Sequence, residues 1–412
     1  MPSVFFLDYL LYGMYNCFIK LNRDDFCMQK STTTYASVNL DALKTNINLI
    51  KTHSKNSEVI AVIKANAYGH GAVPVARFLE SIGVNYFAVA RLSEALELRR
   101  NNIDGKILIL GYTPPESADI LAENNISQAV FSEVYATELS KNLTKPLNVH
   151  IKLNTGMNRL GFNCTDNFDL DGIISTLKLK NLMFEGIFTH FATADRSGDI
   201  TGEFTKVQYS RFKNACESLK SHGFTPEIRH CSNSAAAILN GEMEMDAVRL
   251  GIAMYGLKPD RELDLPDLQP VLEFKTTVAQ VTTLKQGEGV SYGLTYKAEK
   301  DIKIATLAAG YADGVPRVIS SKGRVLIGGE YCEILGRVCM DQMVVDVTNV
   351  KSVKMGDTVT LLGCDNGLEI TADEWATIAN TINYEIVCDI SHRVPRYYKL
   401  NGKLQEKVDY LK

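Results

Sequence analysis

The sequence predicts an α/β protein: a (β/α)8, TIM-like barrel followed by a mainly β C-terminal domain. Three observations lead there. Eight short apolar runs between Val59 and Leu250 alternate, for the most part, with helix-like patterns. Polar residues capable of chemistry stand at the C-terminal ends of these runs, where barrel enzymes hold their sites. Past Gly256 the texture changes to a linker carrying Pro259, Pro266 and Pro270, then to strand-like runs punctuated by turns. A length of 412 residues with 45% hydrophobic content suits two ordinary globular domains.

Taken in order, residues 1–33 read as an N-terminal extension that is expected to be poorly ordered. Val4 to Ile19 is rich in Phe, Leu and Tyr, but Asp8 interrupts it, no basic residue precedes it and no small-residue cleavage site follows. It is therefore expected neither to act as a signal peptide nor to span a bilayer, and Met28 is a candidate start. The barrel is assigned to 34–267 and the β domain to 268–412. The first barrel strand is the run Val59-Ile60-Ala61-Val62-Ile63, five apolar residues without alternation, as in a strand buried on both faces. It is expected to end at Lys64, where burial favours the neutral amine that can condense with an aldehyde. Read alone, the lysine is a side chain reaching for water.

Gly69 and Gly71 give a tight turn, and Ala72–Ser81 places Val75, Phe78 and Leu79 on one helical face with Gly83 just past its end. The remaining strand candidates are Tyr86–Val89, Ile107–Leu110, Gln128–Phe131, Asn148–Leu153, Glu185–His190, Glu227–Cys231 and Ala247–Leu250. Helix-like stretches between them are Ser93–Arg100, Ser117–Glu123, Ser132–Asn142, Phe168–Leu177 and Thr201–Ser221. In the second domain, strands are expected at Phe274–Leu284, Ile302–Leu307, Arg324–Ile327, Cys332–Val338, Met343–Val347 and Thr358–Leu362, with one helix at Ala372–Ile382.

The strand ends hold Lys64, Lys152, His190, Asn233, Ser234 and Arg249. Barrel phosphate sites commonly use the loops after strands seven and eight, here Ser232-Asn233-Ser234-Ala235 and Gly251-Ile252-Ala253. Ser234 offers a hydroxyl, and the N–H groups of Gly251 and Ile252 can approach a phosphate because glycine carries no obstructing side chain. Either loop alone is more readily a helix cap or a plain turn. Both together, opposite a lysine, favour a phosphate-bearing ligand.

Composition excludes several classes. A formal charge of −4 gives no reason to expect nucleic acid or an anionic membrane as partner. The nine cysteines are scattered without a C-x-x-C pair, so they read as reduced thiols of a cytoplasmic protein, and no metal site is expected.

Seven segments occur together in order: Val62-Ile63-Lys64-Ala65-Asn66-Ala67-Tyr68-Gly69; Lys152 to Gly161 (KLNTGMNRLG); Thr189 to Asp195 (THFATAD); Arg249-Leu250-Gly251-Ile252; Gly289-Val290-Ser291-Tyr292-Gly293; Gly336 to Gln342 (GRVCMDQ); and Thr381-Ile382-Asn383-Tyr384-Glu385. This order resembles the pattern of the alanine racemase family from about residue 34 to the C-terminus. The resemblance implies a pyridoxal 5'-phosphate enzyme that interconverts L- and D-alanine by two bases, supplying D-alanine for peptidoglycan. It implies that Lys64 bonds the cofactor and is one base, and that Tyr292 is the other, its phenol favoured as a base by positive neighbours for which Arg317 and Arg337 are candidates. Arg249 faces the pyridine nitrogen; its guanidinium has only donors, so that nitrogen carries no proton. Arg159, with the backbone N–H of Met340, meets the substrate carboxylate, and Lys152 is a candidate for carbamylation that would hold Arg159 in place. Tyr68, Asn233, Ser234, Gly251, Ile252 and Tyr384 bind the cofactor, chiefly its phosphate. His190 lies at the cofactor, and Tyr311 guards the substrate's approach. The family also implies a homodimer with shared active sites. Asn154 stands where many members have Asp, and the N-terminal extension is unusual.

Seen without the resemblance, Arg249 reads as a salt-bridging barrel residue, His190 as a satisfied core histidine and Tyr292 as a strand aromatic between two turn glycines. Alternatives are a serine or broad-specificity racemase, a decarboxylase of the same architecture with Cys339 as its acid, and a single-barrel cofactor carrier. Tyr384 favours alanine over serine, and the β domain carrying Tyr292 and Met340 argues against the carrier.

Overall fold

The computed structural model of the chain describes residues 32–54, 56–195, 199–239, 241–263, 265 and 267–412. The extension expected at 1–33 lies outside the described residues up to residue 31. Two compact units result: Ala42–Gln269, and the described residues up to Asp41 together with Pro270–Lys412.

In the first unit eight parallel strands close a barrel: β1 (Glu58–Val62), β2 (Tyr86–Val89), β3 (Lys106–Ile109), β4 (Ile126–Val130), β5 (Leu147–Asn154), β6 (Leu182–Phe188), β7 (Ile228–His230) and β8 (Ala247–Leu250). Each pairs with the next, and β8 returns to β1 with Val248 beside Val59. The continuous apolar runs foretold this, because helices cover one side of each strand and opposing strands the other. Tyr86, Phe87, Ala88 and Val89 are all fully buried. Each large apolar side chain so buried contributes about 1.5–3 kcal/mol. Ala72–Ser81 buries Val75, Ala76, Phe78 and Leu79. Gly83 follows at φ 84°, a left-handed stop that costs glycine nothing. Ser132 caps the helix Glu133–Lys141 by accepting from the Tyr135 N–H at 3.2 Å.

In the second unit six antiparallel strands close on themselves in the order Leu272–Leu284, Ile302–Leu307, Met343–Asp346, Glu330–Leu335, Arg324–Ile327 and Thr358–Asp365, the last returning to the first with Val359 beside Thr276. Leu272–Leu284 is long enough to pair a second way, with Tyr35–Asn39, which runs parallel to Arg396–Leu400. Tyr35–Asn39, which the 34–267 boundary gave to the barrel, is thus a strand of the β unit. Its pairing with segments hundreds of residues away carries no local signal, and the same holds for Arg396–Leu400 and the hairpin strand Lys403–Val408, which periodicity did not mark. The single helix expected at Ala372–Ile382 is two, Ala372–Ala379 and Asn383–Cys388, separated where Asn380 turns left-handed at φ 56°.

Among the described residues no helix is long and apolar enough to cross a membrane, no disulfide joins the cysteines, and no cluster of three His, Cys, Asp or Glu side chains could hold a metal ion.

Candidate active site

β1 stops at Val62, two residues before the lysine expected to end it. Ile63 makes one more ladder bond, its N–H donating to Ala88 O at 3.0 Å, and the chain then winds the wrong way. Ala65, Asn66, Ala67 and Tyr68 have φ of 51°, 54°, 54° and 51°, a left-handed helical turn without glycine. Each such residue costs roughly 1–2 kcal/mol. Bonds from Ala67 N–H to Ile63 O (2.9 Å), Gly69 N–H to Ala65 O (3.0 Å) and Gly71 N–H to Asn66 O (2.8 Å) hold it, and Asn66 Oδ1 accepts from Ala72 N–H at 2.7 Å. Lys64, half-buried at the head of this turn, carries its Nζ 5.9 Å from the centre of the Tyr68 ring.

The loops after β7 and β8 meet Tyr68. Gly251 N–H donates to Ser234 Oγ at 2.9 Å. A Cβ at position 251 would lie 2.9 Å from the Tyr68 hydroxyl and 3.8 Å from Ser234 Oγ, so a hydroxyl pair and a backbone donor converge on a space that a side chain would fill. Tyr68 packs on Tyr255 with ring centres 5.4 Å apart, and the Tyr255 hydroxyl donates to Val62 O at 3.1 Å. Asn233 Oδ1 accepts from Ala236 N–H at 3.0 Å, the cap reading for that side chain. Ile252 is buried at the start of the turn that follows β8.

Arg249 is buried and donates in five directions: Nη1 to His230 Nδ1 (2.8 Å) and His230 O (3.0 Å), Nη2 to Thr189 O (2.8 Å), Cys231 O (2.9 Å) and His190 Nδ1 (3.2 Å). Among the described residues no carboxylate forms the salt bridge that the residue alone suggests; its charge is met by a relay. Because arginine only donates, His230 Nδ1 must accept, so His230 Nε2 carries the hydrogen and donates to His150 Nδ1 at 2.9 Å. His150 Nε2 then donates to Glu185 Oε2 at 3.1 Å and faces the Tyr86 hydroxyl at 2.8 Å. A donor-only group at one end and an acceptor-only group at the other fix both tautomers. Burial lowers the pKa of His150 and His230, for His230 with Arg249 adding to the effect, so both stay neutral. Burial pushes the Glu185 carboxyl up, but His150, Ser127 (2.5 Å) and Lys106 (3.2 Å) together hold it down at about 2. Arg249 is lowered by burial to about 10 and stays charged at neutral pH. Its Nε–H alone has no partner among the described residues.

The relay was not anticipated from the sequence. Its signal was Gly186 in mid-strand beside His150: a Cβ there would come within 2.3 Å of the imidazole, so the glycine makes room for the ring.

Lys152, two residues beyond His150 on β5 and on the same face, is buried and donates to Leu153 O at 2.8 Å. Burial, then Arg249 and Arg159, lower its pKa to about 7. His190 is held well below its usual range by burial and by Arg249, so it is neutral and accepts at Nδ1. Arg159 is exposed on the loop after β5.

In the β unit Tyr292 is 71% exposed and follows Ser291, whose backbone (φ 63°, ψ −175°) is a conformation otherwise left to glycine. Ser291 Oγ donates to Arg337 O at 2.5 Å. Val290 anchors the segment in a cluster with Leu284, Ala298, Ile302 and Leu335. Arg337 lies beside this turn, its Nη1 3.1 Å from where a Cβ of Gly293 would stand, whereas Arg317 begins a separate turn, Arg317–Ile319. Tyr311 and Met340 are brought together: Tyr311 N–H donates to Cys339 O (2.9 Å) and Ala312 N–H to Met340 O (3.0 Å). A Cβ at Gly310 would sit 2.2 Å from Cys339 O, so only glycine permits that approach. Tyr384 is half-buried on the helix Asn383–Cys388.

Pyridoxal phosphate needs an amine for its aldehyde, donors for its phosphate and a neighbour for its ring nitrogen. The barrel offers the Lys64 amine, the Tyr68–Ser234–Gly251 cradle that a Cβ would fill, and the guanidinium of Arg249, whose Nε–H has no partner among the described residues. The residues fit the group.

The family model for the alanine racemase N-terminal domain matches residues 38–259, and that for the C-terminal domain matches 271–398. The alanine racemase of Clostridium tetani (strain Massachusetts / E88) is 43% identical over 376 residues, 90% of this chain and 96% of that protein. The solved alanine racemase of Clostridium difficile 630 superposes with a TM-score of 0.87 at 39% identity, covering 92% of this chain and 99% of that one. The alanine racemase from Bacillus anthracis, solved with bound L-Ala-P, gives 0.86 at 38% identity over 92% of this chain and 98% of its own. Matched in both units and along nearly the full length of its relatives, the chain belongs to the alanine racemase family.

Proposed function

We propose that the protein is an isomerase that interconverts L-alanine and D-alanine with pyridoxal 5'-phosphate, by moving protons at either face of the substrate Cα. The observation that carries the proposal is the gathering at one barrel mouth of the Lys64 amine, the Tyr68–Ser234–Gly251 cradle and the donor-only Arg249. Lys64 would hold the cofactor by its aldehyde, Tyr68, Asn233, Ser234, Gly251, Ile252 and Tyr384 would hold its phosphate, and Arg249 and His190 would face its ring. When bound, the cofactor draws electrons from Cα and makes its hydrogen removable. Lys64 Nζ would take or return that proton on one face, as free amine or as ammonium, and the Tyr292 oxygen on the other, as phenolate when it takes the proton and as phenol when it returns it. Arg249, having donors only, would face the ring nitrogen without an acceptor for its proton, and an unprotonated ring would withdraw electrons less strongly, favouring return of the proton to Cα over transamination. Arg159 and the N–H of Met340 would hold the substrate carboxylate, with Tyr311 at the approach.

Lys152, with a pKa of about 7, is substantially neutral at neutral pH. A neutral amine can add carbon dioxide, forming an N–C bond with loss of one proton, and the resulting anion would sit among the charges of Arg159 and Arg249 that lower the amine's own pKa. The barrel unit would thus bind the cofactor while the β unit supplies Tyr292. The reading extends to a two-fold homodimer in which the partner's Tyr292 serves Lys64, supported by the exposure of Tyr292 (71%) and Met340 (52%). It extends also to the cytoplasm, supported by scattered cysteines without a pairing pattern, and to supply of D-alanine for peptidoglycan.

The test is incubation of purified holoprotein with L-alanine, following D-alanine by chiral chromatography and carbon dioxide release in parallel. D-Alanine should rise to equal amounts of both enantiomers without carbon dioxide. Lys64→Ala should abolish both the activity and the yellow absorbance that borohydride removes. Carbon dioxide without D-alanine would point to the decarboxylase, and a reducible adduct surviving in Lys64→Ala would place the cofactor elsewhere.

A further inference from the structure

The left-handed turn behind Lys64 is gripped from outside by one carboxylate. Glu94 is the third residue of the helix Leu92–Arg100, which follows β2, the neighbour of β1 in the barrel. Its Oε2 accepts from the N–H groups of Ala90 (2.7 Å) and Arg91 (3.1 Å), as expected where an acidic side chain folds back over a helix start. Its other oxygen leaves that helix: Oε1 accepts from Ala65 N–H at 2.7 Å. Ala65 is the residue after Lys64 and the first of the four left-handed residues. The bridge has a chemical requirement. Both oxygens must accept, and a carboxylate can do this while a carboxamide cannot, because one of its two ends is an NH2 donor that would face an N–H.

We infer that Glu94 is a positioning residue for Lys64: by joining the Ala65 N–H to the start of the neighbouring helix, it keeps the left-handed turn wound and so holds the Lys64 amine where the reaction uses it. The turn is intrinsically unfavourable for alanine, asparagine and tyrosine, and the Glu94 bond acts at the residue where the wrong-handed winding begins. Without it, the head of the turn is released into right-handed or extended backbone, and Lys64 swings with it. Glycine at position 65 adopts the same backbone at no steric cost, so it should lessen the need for the clamp.

The inference rests on the racemase reading, and the experiment separates the two. Wild type, Glu94→Gln and the double variant Glu94→Gln/Ala65→Gly are compared by two readouts. Hydrogen exchange in cofactor-free protein reports the turn itself: the Ala67 and Gly69 amides, whose bonds to Ile63 O and Ala65 O close the turn, should exchange at least tenfold faster in Glu94→Gln, with the barrel-strand amides unchanged, and should slow again in the double variant. Racemisation by the holoprotein reports the consequence: kcat should fall at least tenfold with KM within about twofold, and the double variant should recover at least a third of the wild-type kcat. Unchanged exchange at Ala67 and Gly69, or kcat within twofold of wild type in Glu94→Gln, would overturn the inference. So would a loss that glycine at 65 does not repair. A wild-type protein that does not racemise alanine would defeat the functional reading, while the exchange measurement would still decide whether Glu94 winds the turn.

Discussion

Replacing His230 by Phe isolates the polar role of the relay. His230 stacks on Phe188 with ring centres 4.8 Å apart and planes 7° from parallel, a contact that a phenyl ring keeps. What is lost is polar: Arg249 Nη1 loses its acceptor at 2.8 Å and His150 Nδ1 loses its donor at 2.9 Å, all in a fully buried setting. Leaving a buried polar group unmet costs about 1–3 kcal/mol, so two such groups predict a loss of roughly 2–6 kcal/mol. Urea unfolding of the cofactor-free protein at pH 8 measures it, and a loss under about 1 kcal/mol would refute the relay as drawn.

The same variant carries a pH signature. His150 and His230 are held neutral in the fold, their pKa lowered below the ordinary 6.5 first by burial. Below pH 6.5 the unfolded chain therefore binds protons that the folded chain refuses. Stability is fully present above that value and falls as the pH drops, by about 1.4 kcal/mol per pH unit for each such group. Two buried histidines predict a slope near 3 kcal/mol per unit between pH 6.5 and the folded-state values, and His230→Phe should halve the share these two contribute. Parallel stability curves for wild type and variant would mean that His230 titrates normally in the fold.

Two further outcomes follow from the placement of charge and exposure. Arg249→Glu supplies an acceptor where only donors stood, so the ring nitrogen of the cofactor can keep a proton; racemisation should slow at least tenfold while pyruvate from transamination rises, and an unchanged ratio of the two products would remove the electronic role given to Arg249. If the proposed homodimer shares its sites, Lys64→Ala and Tyr292→Ala proteins should each be nearly inactive, yet mixing them under subunit exchange should restore roughly a quarter of wild-type activity, since half the dimers would be mixed and each would keep one intact site; no recovery with exchange verified by a tagged subunit would place both bases on one chain.

The sequence made the barrel legible because burial on both faces turns a strand into an uninterrupted apolar run, and Val59–Ile63 or Tyr86–Val89 can hardly be anything else. Lys64, Ser234 and Arg249 could be picked out for a related reason: a polar residue at or just past the end of such a run lies near a barrel rim, and Gly251 follows the last run directly. The relay was not, since His150, Glu185 and His230 each look like a lone exception within one strand. Barrel closure alone puts β5, β6 and β7 side by side and joins the exceptions into a chain. Tyr35–Asn39 went astray because a five-residue run does not say which of two sheets will complete it.

The most informative failures lie next to the two proposed bases. Ala65-Asn66-Ala67-Tyr68 contains strong helix formers and no glycine, so local propensity argues for right-handed backbone; the structure winds it to the left. Ser291, before Tyr292, takes a backbone conformation that propensity reserves for glycine. Neither segment could hold that shape by its own preferences. Each is pinned by a side-chain bond at the strained residue: Ala65 N–H to Glu94 on one side, Ser291 Oγ to Arg337 O on the other. Strain supported in this way leaves a base with one backbone path rather than many, and proton transfer at opposite faces of a single carbon tolerates misplacement of either base poorly. Glycine at position 291 removes both the strain and the bond from Ser291 Oγ to Arg337 O, two effects of opposite sign on stability, so the unfolding midpoint should move little while kcat falls because Tyr292 is freed. A Ser291→Gly protein with an unmoved midpoint and undiminished kcat would show that the pinned backbone has no part in placing the base.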